Sequence, residues 1–181
     1  IGAAWYEREA KGLGIPFPPM AERFEQLEET LQIAKQMWSD NDGAYEGEHY
    51  QLAETICYPQ PVSKPHPPIM IGGSGEKKTL RMVAQYADVS NFDTGMGIDG
   101  IRHKLSVLKG HCDDLKRDYN EIERTVIHHV TKPEETDLLI DFCGLLAKEG
   151  IQHVIFNMHH VDTLKPLDYF AEKVIPATAN F

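Results

Sequence analysis

Pro68-Ile69-Met70-Ile71-Gly72-Gly73-Ser74-Gly75-Glu76-Lys77-Lys78-Thr79 reads as a short apolar strand that passes through a glycine-rich loop into the first turn of a helix. Ile69 to Ile71 is a brief, wholly apolar run, which predicts a buried strand. Glycines at 72, 73 and 75 allow a ligand to approach the backbone closely, and the N–H groups opening a helix from Glu76 to Ala87 attract anions. Ser74 and Thr79 add hydroxyl donors. The loop is neither a Walker motif nor a GxGxxG fingerprint. Two readings therefore stand, a phosphate cradle and a plain tight turn between strand and helix.

The same pattern repeats downstream. Asp88 to Phe92 predicts a second strand, followed after Gly95-Met96-Gly97 by a helix from about Asp99 to Tyr119. Arg124 to Val130 is the third strand, and Thr136 to Lys148 its helix, ended by Gly150. His153 to Met158 is the fourth strand, with Leu167 to Ala177 the closing helix. Strands alternating with helices over short connections imply a parallel sheet, because each crossover helix returns the chain to the same end. Two α/β architectures compete, an open doubly wound sheet and a (β/α)8 barrel, which typically takes about 250 residues. Strand order separates them: a barrel keeps neighbours in chain order, whereas a doubly wound sheet reverses at a switch point.

Upstream, Phe24, Leu27, Leu31, Ile33, Ala34, Met37 and Trp38 recur at helical spacing, which predicts an amphipathic helix from Met20 to Trp38. Glu22, Glu25, Glu28 and Glu29 lie opposite as a solvated face. Pro16-Phe17-Pro18-Pro19 opens this helix and Asp40-Asn41-Asp42-Gly43 ends it. Ala44 to Pro68 carries five prolines and little periodicity, with a small hairpin expected from Tyr45 to Leu52 around Glu46-Gly47.

The 181 residues, 41% hydrophobic and 25% charged, suit one domain over residues 1–181 with an irregular insertion at 44–68. A net charge of -10 without a basic cluster argues against a nucleic-acid partner. No run reaches the roughly 18 apolar residues of a membrane helix, and no signal peptide is apparent, so a cytoplasmic chain is expected. Cys57, Cys112 and Cys143 lack CxxC spacing and read as structural thiols. The start at Ile1, without Met, reads as cut.

His128-His129 and His159-His160 fall at strand ends, where parallel strands present ligands. Adjacent strand residues face opposite sides, so no metal site is expected and a polar lining role is left for His128, His129 or His159. Asn91 and Asp93 end the second strand, as lining or loop residues, and Trp5 lines a pocket mouth or packs.

Trp5-Tyr6-Glu7-Arg8-Glu9, Gly14-Ile15-Pro16-Phe17-Pro18-Pro19 and Glu22-Arg23-Phe24-Glu25-Gln26-Leu27-Glu28-Glu29 together resemble the luciferase-like monooxygenase family, particularly its deazaflavin-dependent branch. Tyr45-Glu46-Gly47-Glu48-His49-Tyr50, the Pro65 to Gly75 segment and His153-Val154-Ile155-Phe156-Asn157-Met158 resemble the same family in the same order. The resemblance implies a parallel (β/α)8 TIM-type barrel, with this chain running from the end of the fourth strand through the eighth helix. It implies an oxidoreductase that binds FMN or the 8-hydroxy-5-deazaflavin coenzyme F-420, with hydride transfer between cofactor and a small organic substrate. Ala3, Ala4 and Trp5 would line the ring pocket, while Gly72, Gly73, Ser74, Gly75 and Thr79 would hold the cofactor phosphate. The insertion would partly cover the site. No catalytic acid or base is assigned, because relatives carry the polar residues near the reacting carbon on strands that precede this chain. The alternative is a non-catalytic half barrel that covers its open sheet edge by pairing with itself as a homodimer.

Overall fold

The computed structural model describes residues 1–159 and 161–181, and the chain divides into two compact units, Ile1–Ile69 and Met70–Phe181. His160, half of the second histidine pair, lies outside the described residues.

In the first unit, α1 (Glu7–Gly12) precedes α2 (Met20–Met37). The apolar stripe of α2 works as its spacing predicts, with Leu27 and Leu31 buried. Helix α1 is absent from the sequence reading, since Glu7-Arg8-Glu9-Ala10-Lys11-Gly12 has no apolar stripe and buries no residue. Residues 1–6, expected to form the end of the fourth strand, contain none: Ala4 turns into the left-handed region at φ 57°, out of any extended path.

The hairpin is present as β1 (Tyr45–Glu46) and β2 (Gln51–Leu52), with Tyr45 opposite Leu52 and Glu46 opposite Gln51. Two such short strands cannot hold themselves together, and the glutamate face of α2 supplies the rest. The carboxylate of Glu29 accepts from the backbone N–H of Glu48 at 2.7 Å, of Tyr50 at 2.9 Å and of His49 at 3.1 Å. Glu25 meets His49 Nε2 at 3.2 Å. This corrects the expected solvated face, since Glu25 and Glu29 are the anchors of the hairpin turn. Gly47 is required there, because a Cβ would collide with Glu29 Oε2.

The second unit holds four parallel strands in chain order, β3 (Met70–Gly72), β4 (Val89–Asp93), β5 (Glu123–Val130) and β6 (His153–Met158). Neighbours in the sheet are neighbours in the chain, so among the described residues no switch point occurs and the open doubly wound alternative is overturned. The intervening helices are α3 (Thr79–Tyr86), α4 (Gly97–Leu115) and α5 (Thr136–Lys148). Ile71, Leu80, Val83, Phe92, Ile101, Leu108, Val126 and Leu146 are fully buried at the core, each contributing about 1.5–3 kcal/mol of apolar burial. The architecture is α/β with a parallel sheet whose order is that of a section of a (β/α)8 barrel.

Three helix boundaries differ from expectation, each for a local reason. Helix α3 begins at Thr79 rather than Glu76, because Glu76 is drawn towards α4. Helix α4 stops at Leu115 rather than Tyr119, where Lys116 turns left-handed at φ 55° and Arg117 N–H reaches back to Cys112 O. The closing helix is broken into α6 (Lys165–Tyr169), a π-helical turn over Phe170–Val174, and α7 (Ile175–Thr178). Pro176 has no N–H to continue the α-helical ladder, which accounts for the change of register before it. Among the described residues, no helix is long and apolar enough to cross a membrane.

Candidate functional site

Parallel strands bring their C-terminal ends to one edge of the sheet, which places Gly72, Asp93, Val130 and Met158 together at that edge. The glycine loop leaves β3 there. Gly73 donates its N–H to Asn91 O on β4 at 3.0 Å and sits at φ +125°, a conformation closed to side-chain-bearing residues. A Cβ on Gly73 would stand 3.3 Å from Thr79 Cγ2, and one on Gly75 would stand 2.8 Å from Thr79 Oγ1. Both glycines thus leave room at the Thr79 hydroxyl.

Beyond Gly73 the loop does not consume its own donors. Among the described residues, no protein group accepts from the backbone N–H of Ser74 or Gly75, and the hydroxyls of Ser74 and Thr79 are likewise without protein partners. Gly72, Gly73 and Gly75 are exposed, Ser74 is half-buried, and Thr79 is buried beneath them. Hydroxyls, N–H donors and a glycine-lined approach at the start of an α-helix fit an anionic group such as a phosphate. The five sequence-predicted residues of this loop are therefore assembled by the structure. Its helix starts later than expected, and Leu80 N–H closes a wide turn onto Gly75 O at 3.0 Å.

Beside the loop, a polar row crosses the sheet. Asn91 Nδ2 donates to Thr125 Oγ1 at 2.8 Å, which in turn donates to Ser90 O at 2.8 Å. One step farther out, Asp93 Oδ1 accepts from Gly95 N–H at 2.7 Å and Asp93 Oδ2 lies 3.5 Å from His129 Nε2. His129 faces Asn157 across the β5–β6 register. As alternation requires, His128 points the other way. Its Nδ1 meets Thr94 Oγ1 at 2.8 Å, and its ring packs 4.9 Å from that of Phe142 on α5. Burial and the neighbouring His129 lower the pKa of His128, against the opposing pull of Asp93. Of the three histidines offered as lining, His129 shares the face of Asn91 and Asp93, His128 does not, and exposed His159 follows β6, its N–H directed at Val130 O.

The first unit carries Ala3, Ala4 and Trp5. Trp5 is 86% exposed and stacks on Tyr6 with ring centroids 5.3 Å apart, so it is no packing residue within this chain. A hollow of about 430 Å³ lies against Trp5 and Tyr6, with Leu13, Ile15 and Phe17 on its walls. The segment is held by a residue that sequence reasoning missed. Arg23 Nη1 donates to Ala4 O at 2.7 Å and to Ala3 O at 3.3 Å, while its guanidinium lies 4.0 Å over the ring of Phe17. Its buried Nε has no protein partner among the described residues. The link spans 19 to 20 residues, and no local spacing announces it.

A further hollow lies in the second unit. It measures about 1030 Å³ and runs beside β6, walled by Cys143, Ala147, Val154, Phe156, Phe170 and Val174. Apolar walls beside a strand edge that is unpaired among the described residues suit chain association.

Comparison with known proteins adds a family match, two relatives and two solved structures. The family described as luciferase-like monooxygenase matches residues 1–134. The FMNH(2)-dependent dimethylsulfone monooxygenase of Pseudomonas putida is 25% identical over 163 residues, covering 83% of this chain and 44% of that protein. The F-420-dependent glucose-6-phosphate dehydrogenase of Microbacterium testaceum is 34% identical over 105 residues, covering 58% of this chain and 30% of that protein. This chain thus spans less than half the length of these curated relatives. Among solved structures, an F-420-dependent secondary alcohol dehydrogenase bound to an F-420–acetone adduct superposes with a TM-score of 0.80 at 16% identity, covering 98% of this chain and 68% of that one. The coenzyme F-420-dependent tetrahydromethanopterin reductase of Methanopyrus kandleri gives 0.74 at 12% identity, covering 97% and 72%. At these identities the structural likeness establishes the fold.

Proposed function

Because the chain belongs to the luciferase-like monooxygenase family, we propose that it is part of a flavin- or deazaflavin-dependent oxidoreductase and carries the element that holds the cofactor phosphate. The observation supporting this most directly is the glycine loop at the C-terminal end of β3, where Gly73 at φ +125° exposes uncommitted donors of Ser74, Gly75 and Thr79. FMN and coenzyme F-420 are the cofactors named for the relatives, and both bear a phosphate beyond the ring system. Gly72, Gly73, Ser74, Gly75 and Thr79 are the proposed phosphate contacts, and Ala3, Ala4 and Trp5 the proposed ring-lining contacts.

When bound, such a cofactor supplies hydride or oxygen chemistry, and the protein supplies position, exclusion of water and electrostatics. The reading extends to hydride transfer with a small organic substrate, as the names of the dehydrogenase relatives suggest. Fluorescence titration of the intact protein that carries this chain, with FMN and with F-420, tests it. Saturable binding of either at micromolar concentration is expected, and binding of neither overturns it.

A second reading is favoured by β6, which among the described residues has a strand neighbour on its β5 side alone, next to the 1030 Å³ hollow. In that reading two copies pair through this edge. Sedimentation distinguishes the two states: a dimer supports pairing, and a monomer at tens of micromolar excludes it.

A further inference from the structure

Glu76 stands immediately after the last loop glycine, where a carboxylate ought to disfavour an anionic ligand. The structure takes that charge aside. Glu76 Oε1 accepts from Lys104 Nζ at 2.5 Å and from His103 Nε2 at 3.1 Å, both on α4. Its own carbonyl receives His111 Nε2, two turns farther along that helix, at 2.7 Å. One residue is therefore gripped at both side chain and backbone by three side chains of a neighbouring element. Both partners remain partly exposed, with 21% of the Lys104 side chain and 43% of that of Glu76 accessible.

We infer that Glu76 is a positioning residue for the phosphate loop, acting through α4 rather than by touching the ligand. The inference rests on the cofactor reading above. A plain strand-to-helix turn needs no such attachment, and an ion pair this exposed adds little to global stability. Two consequences for the loop do follow from the geometry. The Glu76 contacts tie the turn over 76–78 to α4, which pins the C-terminal end of the loop whose Ser74 and Gly75 N–H groups are uncommitted. Lys104 also neutralises a carboxylate that would otherwise repel the incoming phosphate. The Lys104 contact foremost, and then that of His103, lower the pKa of Glu76.

FMN and riboflavin share a ring and differ in the phosphate, so together they isolate the loop. In the folded 181-residue chain, wild type should bind FMN more tightly than riboflavin. Glu76→Gln should weaken FMN about fivefold, and Lys104→Met about tenfold because it leaves the carboxylate without its lysine. The double variant should be no weaker than Lys104→Met, since both changes act on one contact. Riboflavin affinity should stay within twofold throughout, and circular dichroism confirms that each variant is folded. Wild type that takes riboflavin as tightly as FMN overturns the phosphate cradle and this inference with it. Wild type that prefers FMN, with variants that keep the preference or lose both ligands equally, leaves the cradle standing and overturns the role of Glu76.

Discussion

Gly73 is the residue on which the loop turns, because its φ of +125° and its 3.3 Å clearance to Thr79 leave no place for a methyl group. Gly73→Ala should destabilise the chain by about 1–2 kcal/mol through backbone strain. Gly97→Ala is the comparison, since Gly97 shares a positive φ of +72° but has nothing within 4 Å of its Cβ position. Urea denaturation should show loss in both and loss of FMN binding only in the first. His128 gives a pH-dependent case. Its folded pKa lies below the ordinary 6.5, chiefly from burial. The unfolded chain therefore binds the proton more readily, and the contribution is present above pH 6.5 and lost as pH falls through the depressed folded value. His128→Phe should flatten the pH dependence of urea midpoints between pH 7.5 and 5. Glu29 has the same sign at lower pH. Burial opposes its ionisation, but the N–H groups of Tyr50, His49 and Glu48 together hold its pKa below the usual 4.5. Its contribution is present above that value and disappears as pH falls through the lower folded one. Glu29→Gln should lower the thermal midpoint at pH 7 by a few degrees, less at pH 3.

At the scale of elements, period and punctuation made the second unit legible. Thr136–Lys148 and His153–Met158 match the sequence reading at both ends, and the other strands shift by a residue. What escaped were contacts between distant residues. Arg23 to Ala4, Glu29 to Glu48 and Glu76 to Lys104 join positions 19, 19 and 28 apart, and each decides a local conformation that spacing alone does not encode. The glycine loop was visible because its chemistry is contiguous; its support on α4 was not, because Lys104 and His111 look like ordinary helix-surface polar residues. Element packing makes its own prediction. Phe92 on β4 is fully buried, so Phe92→Ala should cost about 3–5 kcal/mol. Chemical denaturation would reveal a much smaller loss if the sheet did not pack on that side chain.

Across the whole molecule, the order of strands was the one property the sequence left open between two architectures, because alternation of strand and helix is common to both. Chain-order neighbours decide for a barrel section, and the regular return of each strand beside its predecessor has a kinetic meaning. Asn91 meets Thr125 34 residues on, and Arg124 meets Gln152 28 residues on. Each of these four strands finds a partner within one strand-helix repeat, so a nascent chain leaving the ribosome meets the preceding repeat already in place.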